Sequence, residues 1–130
     1  MILIDTDICI EILHKNEEVI SRRAGYDDEV AVSFMSIAEL YYGSAKSSDP
    51  AGNNSLIEEF LLTVAILHTD LSILRRFGEL KNSLRNQGHM LPDADIFIAA
   101  TTYEKADLLA TGNAGHFKRF SNLSVANWIR

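Results

Sequence analysis

The chain has 130 residues, 47% of them hydrophobic and 23% charged, and a net charge of −6 at neutral pH. A chain of that length buries roughly two thirds of its unfolded surface, so residues 1–130 are expected to form one domain with no need of staples. The charge excludes a broad basic surface for unselective duplex binding, and the single cysteine, Cys9, excludes an internal disulfide. With no basic leader before "MILID" and no apolar run near the roughly 18 residues of a membrane span, a cytoplasmic protein is expected.

Residues 1–4 form a short apolar run, too brief for a helix and consistent with a buried strand. The run ends in "DTD", where Asp5 or Thr6 can cap a helix with Ile8, Cys9 and Ile12 on its apolar side. A polar loop is expected at residues 27–29, followed by a second strand over 30–34 that carries Val30, Val32 and Phe34. Ser36 and Glu39 fit a capping box and predict a helix through Leu40, Tyr41 and Tyr42. "GSAKSSDPAGNN", residues 43–54, predicts a long loop. A helix over about 55–62 and a strand near 64–68 follow.

From 70 to 86 the residues Ile73, Phe77, Leu80 and Leu84 recur on one helical face. Gly88 and Pro92 close that helix, and Asp93 is the expected cap of the next, whose buried side carries Ile96, Ala99, Ala100 and Tyr103. Residues 108–111 and 123–125 read as two last strands. Strands alternating with helices imply a mostly parallel sheet with helices on both faces, a three-layer α/β/α arrangement. In such a sheet ligands bind outside the carboxyl ends of the strands.

Three acids stand at strand-to-helix transitions on that edge: Asp5 after the first strand, Glu39 after the second, and Asp95 before the fourth. Each has a structural role open to it, as a cap, as half of a capping box, or as a partner of the helix dipole. Gathered together they repel, and each raises the pKa of the others. A divalent cation relieves that repulsion, and a ligand set made of oxygen favours Mg²⁺ or Mn²⁺. Such ions serve water activation and charge stabilisation in phosphoryl transfer.

The segments "MILIDTDICIEIL", "SFMSIAELYYG", "GHMLPDADIFIAATTYEKADLLATGNAGHF" and "LSVANW" occur in the order found in PIN-domain ribonucleases of the VapC toxin type, and the resemblance spans nearly the whole chain. It implies an α/β/α fold and a Mg²⁺- or Mn²⁺-dependent endoribonuclease held inactive by a VapB-like antitoxin. The first three acids of the family fall on Asp5, Glu39 and Asp95, as catalytic residues and metal ligands. Where many relatives carry a fourth acid, this chain has Asn113, and His116 takes a place where acids are also frequent. The neutral amide lowers the charge of the site, so one firmly held ion is expected, with a second arriving alongside RNA phosphate. Asn113 would orient water or the scissile phosphate.

Thr6 is either a cap or a hydrogen-bond partner of a ligand carboxylate, Asp7 shares that ambiguity, and Asp93 is an outside candidate for a second ligand. Lys118 and Arg119 are the expected phosphate contacts, ahead of Arg75, Arg76 and Arg85. The resemblance further implies a homodimer and a groove for the antitoxin, to which Ile12, Leu13, Leu40 and Tyr41 are suited. Three alternatives stay open: a haloacid-dehalogenase-like phosphatase in which Asp5 is phosphorylated, although Gly-Thr is missing after "DTD"; an interaction module that has lost activity; and a DNA nuclease using the same site.

Overall fold

The computed structural model describes residues 1–129. Five strands, β1 (Ile2–Ile4), β2 (Val30–Ser33), β3 (Ala65–Leu67), β4 (Leu108–Thr111) and β5 (Val125–Asn127), form one all-parallel sheet in the order β3-β2-β1-β4-β5. β1 runs through the centre and is buried at every position. A strand covered on both faces needs apolar residues throughout, which is why "ILI" and "VAV" do not alternate.

The helices α1 (Thr6–Leu13), α2 (Glu17–Ala24), α3 (Phe34–Ala45) and α4 (Pro50–Leu61) supply Ile8, Cys9, Val19, Leu40, Ile57 and Phe60 to a core on one face of the sheet. The helices α5 (Leu71–Asn86), α6 (Asp93–Lys105) and α7 (Ala114–Phe117) supply Leu84, Ile96 and Phe117 to a second core on the other. Each large aliphatic side chain fully removed from water contributes about 1.5–3 kcal/mol. The three-layer architecture is therefore the expected one. α6 is buried more completely than an amphipathic stripe would be, and its Thr101 and Thr102 hydroxyls donate to the carbonyls of Phe97 and Ile98 within the same helix. Those bonds satisfy polar groups that water cannot reach.

Several local expectations are corrected. The helical stretch before the loop at 27–29 is two helices, because Lys15 takes a left-handed backbone (φ 59°) and Asn16 caps a new helix by accepting from the Glu18 and Val19 amides. The Ser36–Glu39 capping box does not form. Ser33 is the cap instead, accepting from the Ser36 amide at 3.1 Å, so the strand ends one residue earlier and α3 begins at Phe34. The loop expected over 43–54 shrinks to a short turn: α3 runs on to Ala45, and Asp49 caps α4 with Pro50 at its first position, where a missing amide proton costs nothing.

Asp93 is likewise no cap. Pro92 holds that position without a side-chain bond, and Asp93 pairs with Lys81 at 2.9 Å. The last strand lies two residues later than expected, and the four-residue α7 was not foreseen. Gly88 (φ 74°) ends α5 as anticipated: its amide donates to Arg85 O and that of His89 to Leu84 O, the paired bonds of a left-handed helix stop.

Candidate active site

The order in which the chain fills the sheet reverses between β1 and β4, the place where an open α/β sheet forms a crevice outside the carboxyl ends of its strands. Asp5 follows β1 there and Thr111-Gly112-Asn113 leave β4 beside it. Asp5 caps α1, accepting from the Thr6 amide at 2.8 Å through Oδ1, while its Oδ2 accepts from the Thr111 hydroxyl, also at 2.8 Å. Thr111 Oγ1 in turn accepts from the Asn113 amide at 3.0 Å. The exit of β4 is thereby tied to the first acid.

A second tie runs in parallel. Asp7 Oδ2 accepts from the Gly112 amide at 2.9 Å. A Cβ at Gly112 would lie 2.8 Å from that carboxylate oxygen and 2.2 Å from Ile129 Cδ1, so only glycine lets the loop approach α1 this closely. The other Asp7 oxygen, Oδ1, is buried with no hydrogen-bond partner.

Glu39 comes from α3 and is tied to the residue that follows Asp5. Its Oε1 accepts from the Thr6 hydroxyl at 2.7 Å, and the same hydroxyl shares a 2.8 Å hydrogen bond with Ser36. Thr6 therefore holds a carboxylate and is not the helix cap. Asp95 sits in the first turn of α6, and its Oδ2 lies 2.7 Å from His116 Nε2 on α7. His116 thus touches the third of the expected acids. Asn113 caps α7 only by position; its side chain is exposed and makes no capping bond.

The acids act on one another. Burial pushes the Asp5 carboxyl up to about 7, the Asp7 carboxylate pushes in the same direction, and Asp95 adds a smaller push, against the pull of the Thr111 and Thr6 bonds. Asp7 is raised as well, first by burial, then by Glu11 and Asp95 after the Gly112 and Ile8 amides have drawn it down. Among the described residues no three His, Cys, Asp or Glu side chains are arranged to hold a metal ion directly. The donor chemistry nevertheless fits a hard divalent ion: the carboxylates of Asp5, Asp7 and Asp95 repel one another, and one buried Asp7 oxygen has no donor.

The remaining expected residues divide. Asp93 is held by Lys81, Lys118 is exposed, and Arg119 donates to His89 Nδ1. Thr111 and Ser36 were missed from sequence. The signal for Thr111 was a lone hydroxyl ending a strand, directly before Gly-Asn; Ser36 was noticed for the wrong bond.

Residues 2–123 match the PIN domain family. Across 98% of this chain and 97% of its own length, Ribonuclease VapC2 of Haemophilus influenzae is 34% identical. Two solved complexes align with similar completeness. VapBC-1 from nontypeable Haemophilus influenzae superposes with a TM-score of 0.89 at 29% identity over 100% of both chains. VapBC2 from Rickettsia felis, bound to a DNA fragment from its promoter, gives 0.88 at 30% identity over 98% of this chain and 99% of that one. The chain therefore belongs to the PIN-domain family, among its VapC-type ribonucleases.

Proposed function

We propose that this chain, folded as one domain, is an endoribonuclease and the toxin of a toxin–antitoxin pair, with Asp5, Glu39 and Asp95 as its working acids. The observation that carries the proposal is the linked set Asp5–Thr111–Asn113, Thr6–Glu39 and Asp95–His116 at the switch point of a PIN sheet. Mg²⁺ or Mn²⁺ is the fitting cofactor. Bound there, it would supply water activation and neutralise charge that builds on the phosphate.

The chain's own residues have separable tasks. Asp5 and Asp95 provide negative oxygens facing the crevice, and Thr111 and His116 fix their orientation. Thr6 holds Glu39 so that its second oxygen stays available. Asn113, exposed at the rim, offers an amide to a phosphate oxygen or to water. His116, on Asp95, is placed to hold or pass a proton at Nε2.

A VapB-like antitoxin and a second copy of the chain are the proposed partners, in line with the complexes in which the structural neighbours were solved. Of the four residues expected at an antitoxin groove, Leu13 and Leu40 line one together with Ile10, Leu56, Ile57 and Glu39, whereas Ile12 and Tyr41 pack against the core; the groove suits an apolar segment of such an antitoxin. No described helix is long and apolar enough to cross a membrane. The aspartyl-phosphate alternative loses support, because both oxygens of the buried Asp5 carboxylate already accept hydrogen bonds.

The test is cleavage of a panel of structured RNAs with Mn²⁺, Mg²⁺ or chelator, comparing the wild type with Asp5→Asn and Glu39→Gln. Cleavage by the wild type only, falling by at least about 10²-fold in either variant, is expected. Equal behaviour of all three proteins would overturn the assignment, and cleavage of the matched DNA alone would redirect it to deoxyribonucleic acid.

A further inference from the structure

The net charge of −6 is divided unequally along the chain. Residues 1–70 hold four of the twelve Lys and Arg but thirteen of the eighteen Asp and Glu, a net −9; residues 71–130 hold eight Lys and Arg against five Asp and Glu, a net +3. The fold turns this division into a spatial one: α1 to α4 cover one face of the sheet, and α5 to α7, with the Asp70 cap of α5, the other. Among the described residues, positions 1–69 hold four Lys and Arg against twelve Asp and Glu, and positions 70–129 hold seven against six. An RNA strand approaching the crevice is therefore repelled far more by the first helical layer than by the second, because phosphate contacts dominate its affinity.

The second layer also contains a polar cavity. About 270 Å³ opens between α5, α6 and the segment after α7, lined among others by Ser83, Gln87, Tyr103, Arg119 and Asn122. Two arginines flank it, and they differ. Arg76 is spent on Glu104, with Nε and Nη2 at 2.9 and 2.8 Å from the same carboxylate oxygen. Arg119 is exposed and faces no carboxylate among the described residues; it donates only to a ring nitrogen, Nδ1 of His89. Its charge is thus available to an anion, with the Ser83 hydroxyl, which accepts from the Gln87 amide at 3.1 Å and keeps its own proton to donate, and the Asn122 amide as further donors lining the cavity. Two residues separate Arg119 from His116, which touches Asp95. Three chain steps reach about 11 Å at most, so Arg119 stands beside the crevice, while none of Asp5, Glu39, Asp95, Asn113 and His116 lines the cavity.

We propose that this cavity is an RNA phosphate subsite beside the active centre, in which Arg119 grips a backbone phosphate that flanks the scissile bond, so that substrate crosses the α5–α7 layer. The proposal rests on the nuclease assignment for its substrate class. It makes Arg119 a binding residue with no role in the chemical step, and because a phosphate carries no sequence, it contributes equally to every RNA.

The experiment measures binding without cleavage. The Asp5→Asn chain, or the wild type in chelator, is titrated with fluorescently labelled unfractionated tRNA across a salt series, followed by anisotropy. Adding Arg119→Ala should weaken binding about tenfold and lower the slope of log affinity against log salt by about 0.7–0.9. Gln87→Glu, which puts a carboxylate into the cavity and leaves Arg119 in place, should weaken binding in the same direction. Lys46→Ala removes the same unit of charge from the first layer and should change neither quantity. Unchanged binding in both cavity variants, or an equal loss in Lys46→Ala, would overturn the subsite, as would the absence of any tRNA binding. The nuclease assignment fails separately, on the cleavage panel, which leaves this comparison standing.

Discussion

Replacing Asp5 by Asn should change how stability depends on pH in the ion-free protein. The Asp5 carboxyl has an ordinary value of 3.8 and is pushed to about 7, chiefly by burial and then by Asp7. Between those values the folded chain keeps a proton that the unfolded chain has released, so stability falls by about 1.4 kcal/mol per pH unit. The stabilising proton is fully present below about pH 4 and lost as pH rises through about 7. Over the whole window the loss is about 4 kcal/mol, a large share of the roughly 5–15 kcal/mol of a typical domain. It corresponds to roughly 10–20 °C in Tm.

Asn has no proton to lose. Its carbonyl can still accept from the Thr6 amide, and the Thr111 hydroxyl can turn to accept from its amide group. The assay is urea unfolding of wild type and Asp5→Asn in chelator from acid to mildly alkaline pH, repeated with Mn²⁺. Expected is a wild-type curve that declines between about pH 4 and 7, a variant curve flatter by about 4 kcal/mol across the window, and recovery of the wild type by Mn²⁺ above neutrality. Parallel curves for the two proteins would refute burial and carboxylate repulsion as the source of strain in this site.

Three further outcomes follow from single contacts. Thr6→Val deletes the hydroxyl that holds Glu39 at 2.7 Å; kcat for RNA should fall about 10–100-fold with KM little changed, and Thr6→Ser should restore most of it. Gly112→Ala drives a methyl group against Ile129 and Asp7, so chemical denaturation should show about 1–3 kcal/mol of lost stability, whereas Gly78→Ala, with open space around it, should show none. Ile73→Ala empties a fully buried position on α5, and the same measurement should register about 2–5 kcal/mol.

What could be read from the residues was set by short-range physics. Apolar runs too short for a helix marked β1, β2 and β4, because a strand covered on both faces has no polar side to show. The 3.6-residue recurrence of Ile73, Phe77, Leu80 and Leu84 gave α5 almost to its ends, and the alternation of the two element types gave the layered parallel sheet. Asp5, directly after β1, pointed to the end of that strand, where it caps α1.

Competition between local alternatives could not be read in the same way. Ser33 and Ser36 are both able to cap α3, and the cap falls to Ser33 because Ser36 is drawn inward toward Thr6. Asp93 and Asp95 are the same residue type in one helical turn; Lys81 on α5 takes the first and His116 on α7 the second, partners twelve and twenty-one residues away. The bond from Thr111 to Asp5 joins residues 106 apart. Which hydroxyl orients which acid depends on strand order, and strand order comes from packing two apolar faces of one sheet, a property of the whole chain.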